Sequence, residues 1–184
     1  MEKTPTSEGG TPSKAFPLDN HTAPPVTGLK RDSVRGQEDI SPAIVSISDI
    51  HGYLESARSA LLTLSDCDGS TPIVETDTSG RLHWAGNDYV LLFNGDLIDR
   101  GPASTETLQM VARLLDEAPS GAVRVTLGNH EMAVLTPALF RWSNWFCGQV
   151  GPDGRRSLIA SIRDGHVTAA YEGYNVTYAH AGHG

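Results

Sequence analysis

Cysteine is nearly absent from this chain. Cys67 and Cys147 stand 80 positions apart, which excludes both a disulfide framework and a thiolate zinc cage and leaves two free thiols. Lysine is missing altogether from residue 43 onward. That region sets nine arginines against sixteen Asp and Glu and carries −7 of the chain's net −8. So acidic a body has no broad electrostatic footprint for nucleic acid, although a local basic pocket stays possible. Long apolar runs are lacking too: none approaches the ~20 residues a membrane span needs. No basic start followed by an apolar stretch marks a secretory signal, so a cytoplasmic protein is expected.

What is present divides the chain in two. Positions 1–41 hold five of the eleven prolines, scattered among Gly, Ser, Thr and mixed charges without hydrophobic periodicity. Burying such a segment does not offset its ordering entropy, so 1–42 is expected to be a disordered tail. Residues 43–184 have the length of one domain.

Within that domain, four β-rich apolar runs each stop at Asp, Asn or His beside a glycine. Residues 43–48 lead into Asp49-Ile50-His51-Gly52. Residues 89–93 lead into Asn94-Gly95-Asp96-Leu97-Ile98-Asp99-Arg100-Gly101. Residues 122–127 lead into Gly128-Asn129-His130-Glu131, and 174–179 into His180-Ala181-Gly182-His183. Taken singly these endings are ordinary, and Asn94-Gly95 is also a common hairpin turn. Helical patterns alternate with the strands: Leu54, Ala57, Leu61 and Leu64 over 53–65, then Leu108, Val111, Ala112 and Leu115 after Pro102. Strand–helix alternation predicts βαβ units and an α/β fold with a largely parallel sheet. In such sheets ligands bind beyond the carboxyl ends of the strands, so the four endings share one crevice if the strands lie side by side. Asp49, His51, Asp96, Asn129 and His180 offer oxygen and imidazole nitrogen without thiolate. That set suits manganese, iron or zinc better than calcium. Five groups exceed one ion's needs, whereas two ions roughly 3.5–4 Å apart would use them well.

These motifs, in this order, resemble those of the calcineurin-like metallophosphoesterases. Asp99-Arg100-Gly101 and Asn129-His130-Glu131 point to the phosphoprotein-phosphatase branch, and the passage from Asp77 to Gly101 is similar to the Shewanella-like phosphatases. The resemblance implies an α/β/β/α sandwich and a phosphatase using two divalent metal ions (Mn, Fe or Zn). It places Asp49, His51 and Asp96 on the first ion, with Asp96 bridging to a second held by Asn129 and His180. His130 would be the general acid, oriented by Asp99, and Arg100 would bind the substrate phosphate. Hydrolysis would proceed by direct attack of a metal-bridging hydroxide on a phosphomonoester, of a phosphoprotein or a small molecule. Dinucleoside-tetraphosphate hydrolases carry similar motifs, which leaves dinucleoside polyphosphate or phosphodiester hydrolysis as an alternative. Ser48 departs from the glycine usual before Asp49. The family also supplies a further metal histidine after the position of His180, whereas this sequence stops at Gly184. The sandwich is therefore expected to be incomplete at the C-terminus, and an inactive metal-binding fragment is a further alternative. Nothing in the sequence fixes the oligomeric state.

The remaining features read more plainly. Residues 71–84 suggest a hairpin, with His83 on its surface. Asp66-Cys67-Asp68-Gly69 lacks the later acids of a calcium loop and reads as a turn. Residues 140–154, with Trp142, Trp145 and Phe146, read as an insert packing aromatics on the core, and less readily as a flap over the crevice. Residues 155–162 look helical, and Arg155, Arg156 or Arg163 is a candidate second phosphate contact. His183 is a candidate extra ligand.

Overall fold

The computed structural model describes residues 42–64, 71–136 and 144–180. The expected tail, the turn around Cys67, Trp142 and His183 lie outside the described residues.

The centre is a parallel three-stranded sheet in the order β1-β4-β5, made of Ile44–Ile47, Val90–Asn94 and Val123–Thr126. Its registers pair Ile44 with Val90 and Leu91 with Val123. β4 is the middle strand and is buried on both faces, which its continuous apolar run requires. Leu91 and Phe93 point to one face with the main core. Val90 and Leu92 point to the other, against Ile44, Tyr171 and Tyr178. Because β4 pairs in parallel on both sides, Asn94-Gly95 is no hairpin turn. It is the exit from a central strand.

Among the described residues there are four helices, of which the last two follow one another with no strand between them. α1 (Leu54–Thr63) and α2 (Ser104–Glu117) connect the strands. α2 buries Leu108, Val111 and Leu114 at helical spacing. It starts two residues after Pro102, with Ala103 as its N-cap, because Ser104 turns inward to the site loop. α3 (Asn129–Leu135) grows directly out of the third motif. α4 (Phe146–Arg163) is longer than the predicted 155–162 and breaks at Gly151, whose φ is 65°. Pro152 restarts it, lacking the N–H that a first turn leaves unpaired anyway. Between α1 and β4, Val74–Thr76 (β2) and Leu82–Trp84 (β3) form the expected hairpin. It packs against α1 and α2, with Ile73, Leu82 and Trp84 in the core.

The fourth predicted strand differs from expectation. Tyr171–Gly173 (β6) and Val176–Tyr178 (β7) form an antiparallel hairpin outside the parallel sheet. Tyr174 and Asn175, expected inside a strand, are its two-residue turn, with φ values of 53° and 63°. Positive φ at both positions is the geometry whose twist matches a tight hairpin. The hairpin covers the Val90–Leu92 face of the sheet through Tyr171 and Tyr178. Among the described residues no helix is long and apolar enough to cross a membrane.

Candidate metal centre and phosphate site

The loops leaving β1 and β4 are laced together by backbone bonds. The N–H groups of Asp49, His51 and Gly52 donate to the carbonyls of Gly95, Asp96 and Leu97 at 3.2, 2.8 and 2.8 Å, and Gly101 N–H returns to the His51 carbonyl at 2.7 Å. Side by side, the two loops adopt conformations that neither prefers alone. Asp49, His51, Asp96, Asp99 and Arg100 all have positive φ, from 49° to 70°. Such backbone persists in non-glycine residues only where neighbours over-determine it, and it clusters at functional sites. The approach is also close: a Cβ on Gly95 would lie 2.7 Å from Gly128 Cα and from His180 Cβ. Only glycine lets the β4, β5 and β7 ends meet here.

Asp96 lies at the centre, 2% exposed. Its Oδ1 accepts the His130 N–H at 3.0 Å. Its Oδ2 faces three imidazole nitrogens, the nearer two being His180 Nε2 at 3.2 Å and His51 Nε2 at 3.4 Å. His51 Nδ1 donates to the Ile98 carbonyl at 3.1 Å, and His180 Nδ1 to the Asn94 carbonyl at 2.8 Å. A carbonyl only accepts, so the proton of each neutral ring sits on Nδ1 and the lone pair on Nε2. Both lone pairs then point at carboxylate oxygens. His51 Nε2 is buried with no hydrogen-bond partner, and Asp49 Oδ1 stands 3.7 Å from it. With both rings neutral, lone pairs and carboxylates gathered this way repel one another unless a cation lies between them. The outward Nδ1–carbonyl bonds are the usual support of metal-ligating histidine. Donor atoms of Asp49, Asp96 and His180 lie within 4.8 Å of one another, as do those of His51, Asp96 and His130. The residues present therefore fit a divalent cation. Asn129 opens α3 with an exposed side chain.

His130 differs from the other two histidines. Its Nδ1 is 2.7 Å from Asp99 Oδ2, and both side chains are buried. Its Nε2 faces Arg100 Nη2 at 3.4 Å. The same nitrogen lies 4.0 Å from Asp96 Oδ2. The His130 ring meets His51 edge to face, 4.6 Å between centroids. Arg100 is exposed at the edge of the cluster, where an anionic substrate can reach it. Arg155, by contrast, donates to the carbonyls of Val134 and Thr136 at the end of α3. It caps that helix. Arg156 pairs with Asp153.

Sequence reasoning missed several supporting residues. Glu131 is 1% exposed, and its carboxylate accepts the N–H groups of Asp96, Leu97 and Gly128, each at 2.9 Å. Burial pushes this carboxyl above the ordinary range, while the three backbone donors oppose that push. A glutamate three residues after a helix N-cap was the available signal, but its reach to the β4 loop was not. Asn94 links β4 to its neighbours: Thr126 Oγ1 donates to its Oδ1 at 2.7 Å, and its Nδ2 donates to the Ala179 carbonyl at 3.3 Å. Of the aromatic insert, residues 144–154 are described. Phe146 is buried in the core, yet its N–H donates to Asp99 Oδ1 at 2.7 Å.

Residues 42–182 match the family model described as calcineurin-like phosphoesterase. An asymmetrical bis(5'-nucleosyl)-tetraphosphatase of Bacillus velezensis is 35% identical over 85 residues, 46% of this chain and 28% of that protein. A symmetrical bis(5'-nucleosyl)-tetraphosphatase of Vibrio cholerae is 51% identical over 49 residues, 27% of this chain and 16% of that protein. Shewanella-like protein phosphatase 2 of Arabidopsis thaliana is 27% identical over 118 residues, 56% of this chain and 27% of that protein. Each match thus covers less than a third of the curated relative. The solved structure of a cold-active protein-tyrosine phosphatase from a psychrophilic Shewanella superposes with a TM-score of 0.55 at 24% identity, covering 76% of this chain and 41% of that one. At that identity the likeness speaks to fold alone.

Proposed function

We propose that this chain, which belongs to the calcineurin-like phosphoesterase family, hydrolyses phosphomonoesters at the crevice formed by the ends of β1, β4, β5 and β7. The carrying observation is the pair of imidazole lone pairs, on His51 and His180, aimed at one buried carboxylate, Asp96. Members of the family use divalent metals. Here Asp49, His51 and Asp96 would hold one cation, and Asp96, Asn129 and His180 a second; manganese, iron and zinc all suit such donors. When bound, such ions lower the pKa of water and neutralise phosphoryl charge.

The chain's own residues supply the rest. Arg100 binds the phosphate oxygens from the open side, as a planar donor fork suits. His130 protonates the departing oxygen through Nε2, while Asp99 holds Nδ1 and fixes the ring. Residues 43–184 act as the catalytic domain in this reading. Dinucleoside polyphosphates are a second substrate class, favoured by the identity to the Bacillus and Vibrio tetraphosphatases.

The test pairs cation stoichiometry, measured by elemental analysis after dialysis, with a substrate panel of p-nitrophenyl phosphate, a phosphopeptide and diadenosine tetraphosphate. Asp96→Asn is expected to lower cation content and abolish turnover together. Wild-type values for both would remove the two-cation reading. Preferential turnover of diadenosine tetraphosphate would move the substrate to the second class.

A further inference from the structure

Asp99 and Arg100 are consecutive non-glycine residues in the left-handed region, with φ values of 70° and 62°. Part of what holds them is local. Asp99 N–H donates to Ser104 Oγ at 2.9 Å, and Gly101 N–H to the Asp99 carbonyl at 2.7 Å. The rest arrives from more than forty residues away in sequence, at the start of α4. Phe146 N–H donates to Asp99 Oδ1 at 2.7 Å, so both oxygens of that carboxylate are engaged, the other by His130. Asn144 Nδ2 donates to the Arg100 carbonyl at 2.9 Å. Asn144 is itself left-handed, with φ of 56°, a conformation that asparagine tolerates better than most residues. The burial of Phe146 fixes the chain on one side of this contact. On the other, the orientation of the Arg100 peptide decides where the guanidinium stands, now 3.4 Å from His130.

We infer that Asn144 is a positioning residue for Arg100. Its side-chain amide pins the carbonyl of a left-handed residue, and so presents the guanidinium to the phosphate group of the substrate. The contact involves the Arg100 backbone and leaves the Asp99–His130 pair to Phe146. Asn144 therefore acts on phosphate affinity through Arg100. This inference rests on the reading of Arg100 as the phosphate ligand.

The experiment uses the full chain with manganese and reads the dissociation constant for inorganic phosphate by calorimetry, with KM and kcat for p-nitrophenyl phosphate beside it. Asn144→Asp keeps size and backbone tolerance but turns the donor into an acceptor facing a carbonyl. Asn144→Gly keeps the conformation and removes the amide. Both are expected to weaken phosphate binding and raise KM by about 3- to 10-fold, the range one net hydrogen bond supports, with kcat within about twofold. Asn144→Asp added to Arg100→Ala should cost nothing further, since the effect is transmitted through Arg100. The same loss in both backgrounds, or a kcat loss without a KM change, would overturn the inference. If Arg100→Ala weakens phosphate binding while both Asn144 variants bind it normally, only the role of Asn144 falls. If Arg100→Ala binds phosphate normally, the reading of Arg100 falls and takes this inference with it.

Discussion

Glu131 touches no substrate in the proposed mechanism, yet Glu131→Gln should loosen the whole centre. Its carboxylate accepts three backbone N–H groups, from Asp96 and Gly128 at Oε2 and from Leu97 at Oε1. Glutamine is the same size. Its carbonyl can replace the oxygen that serves Asp96 and Gly128, but its NH2 must then face the Leu97 N–H, donor against donor. A buried orphaned donor costs about 1–3 kcal/mol. Relief of the buried charge offsets some of this, since burial already pushes the Glu131 carboxyl upward. A net loss of about 1–2 kcal/mol lowers Tm by roughly 2–8 °C in a chain of this size. The second effect is larger. Leu97 follows Asp96, whose left-handed backbone (φ 54°) aims Oδ2 at His51 and His180. Releasing that loop should weaken cation binding by about 10- to 100-fold, as is usual when the support of a ligand is removed. Thermal melting in EDTA isolates the first effect, and manganese competition against a fluorescent chelator isolates the second. Wild-type Tm in EDTA together with wild-type manganese affinity would refute the clamp.

Two further outcomes are expected. His130→Ala should retain most bound cation but slow turnover by roughly 10²–10⁴-fold; the loss should shrink for substrates with good leaving groups, and an equal loss across leaving groups would make the residue structural. In the β2–β3 hairpin, His83 bridges Glu117 at 2.7 Å and Asp77 at 3.3 Å. Glu117 first and Asp77 second raise its pKa above the ordinary 6.5. The stability it contributes is therefore full below that ordinary value and lost as pH rises through the raised one. His83→Gln should lower Tm at acidic pH and converge on wild type as pH climbs, and a pH-independent difference would exclude the ion-pair explanation.

Much of the fold was legible because it rests on signals that do not depend on context. A short continuous apolar run such as 89–93, rich in β-formers and followed by Asn94-Gly95, reads as a strand buried on both faces, and β4 is one. The stripe Leu108, Val111, Leu114 has one period and one buried face. The hairpin of β6 and β7 was less legible. A short apolar run shows that a strand exists, not which partner it takes. The turn signal was present in Asn175, but Tyr174 beside it disguised the turn, since a bulky aromatic at positive φ runs against propensity. His180 reached the site all the same, because Asn94 binds it through the carbonyl to its Nδ1.

The site itself was legible as a set of residue types but not as a geometry. Asp49, His51, Asp96, Asp99 and Arg100 all occupy backbone conformations their own preferences disfavour, so no local rule places their side chains. What places them is long-range. The carbonyls of Gly95, Asp96 and Leu97 hold the first loop, Glu131 holds the second from 34 residues on, and Phe146 and Asn144 hold Asp99 and Arg100 from 47 and 44 residues on. Local preference and tertiary structure conflict in this chain at five of the residues assigned chemical roles, Asp49, His51, Asp96, Asp99 and Arg100. That is where strain is tolerated, because it fixes polar groups that would otherwise relax. Substitutions at the supports should therefore act on the site before they act on the fold. For Glu131 and Asn144 alike, losses in cation or phosphate affinity should exceed what the change in Tm alone accounts for.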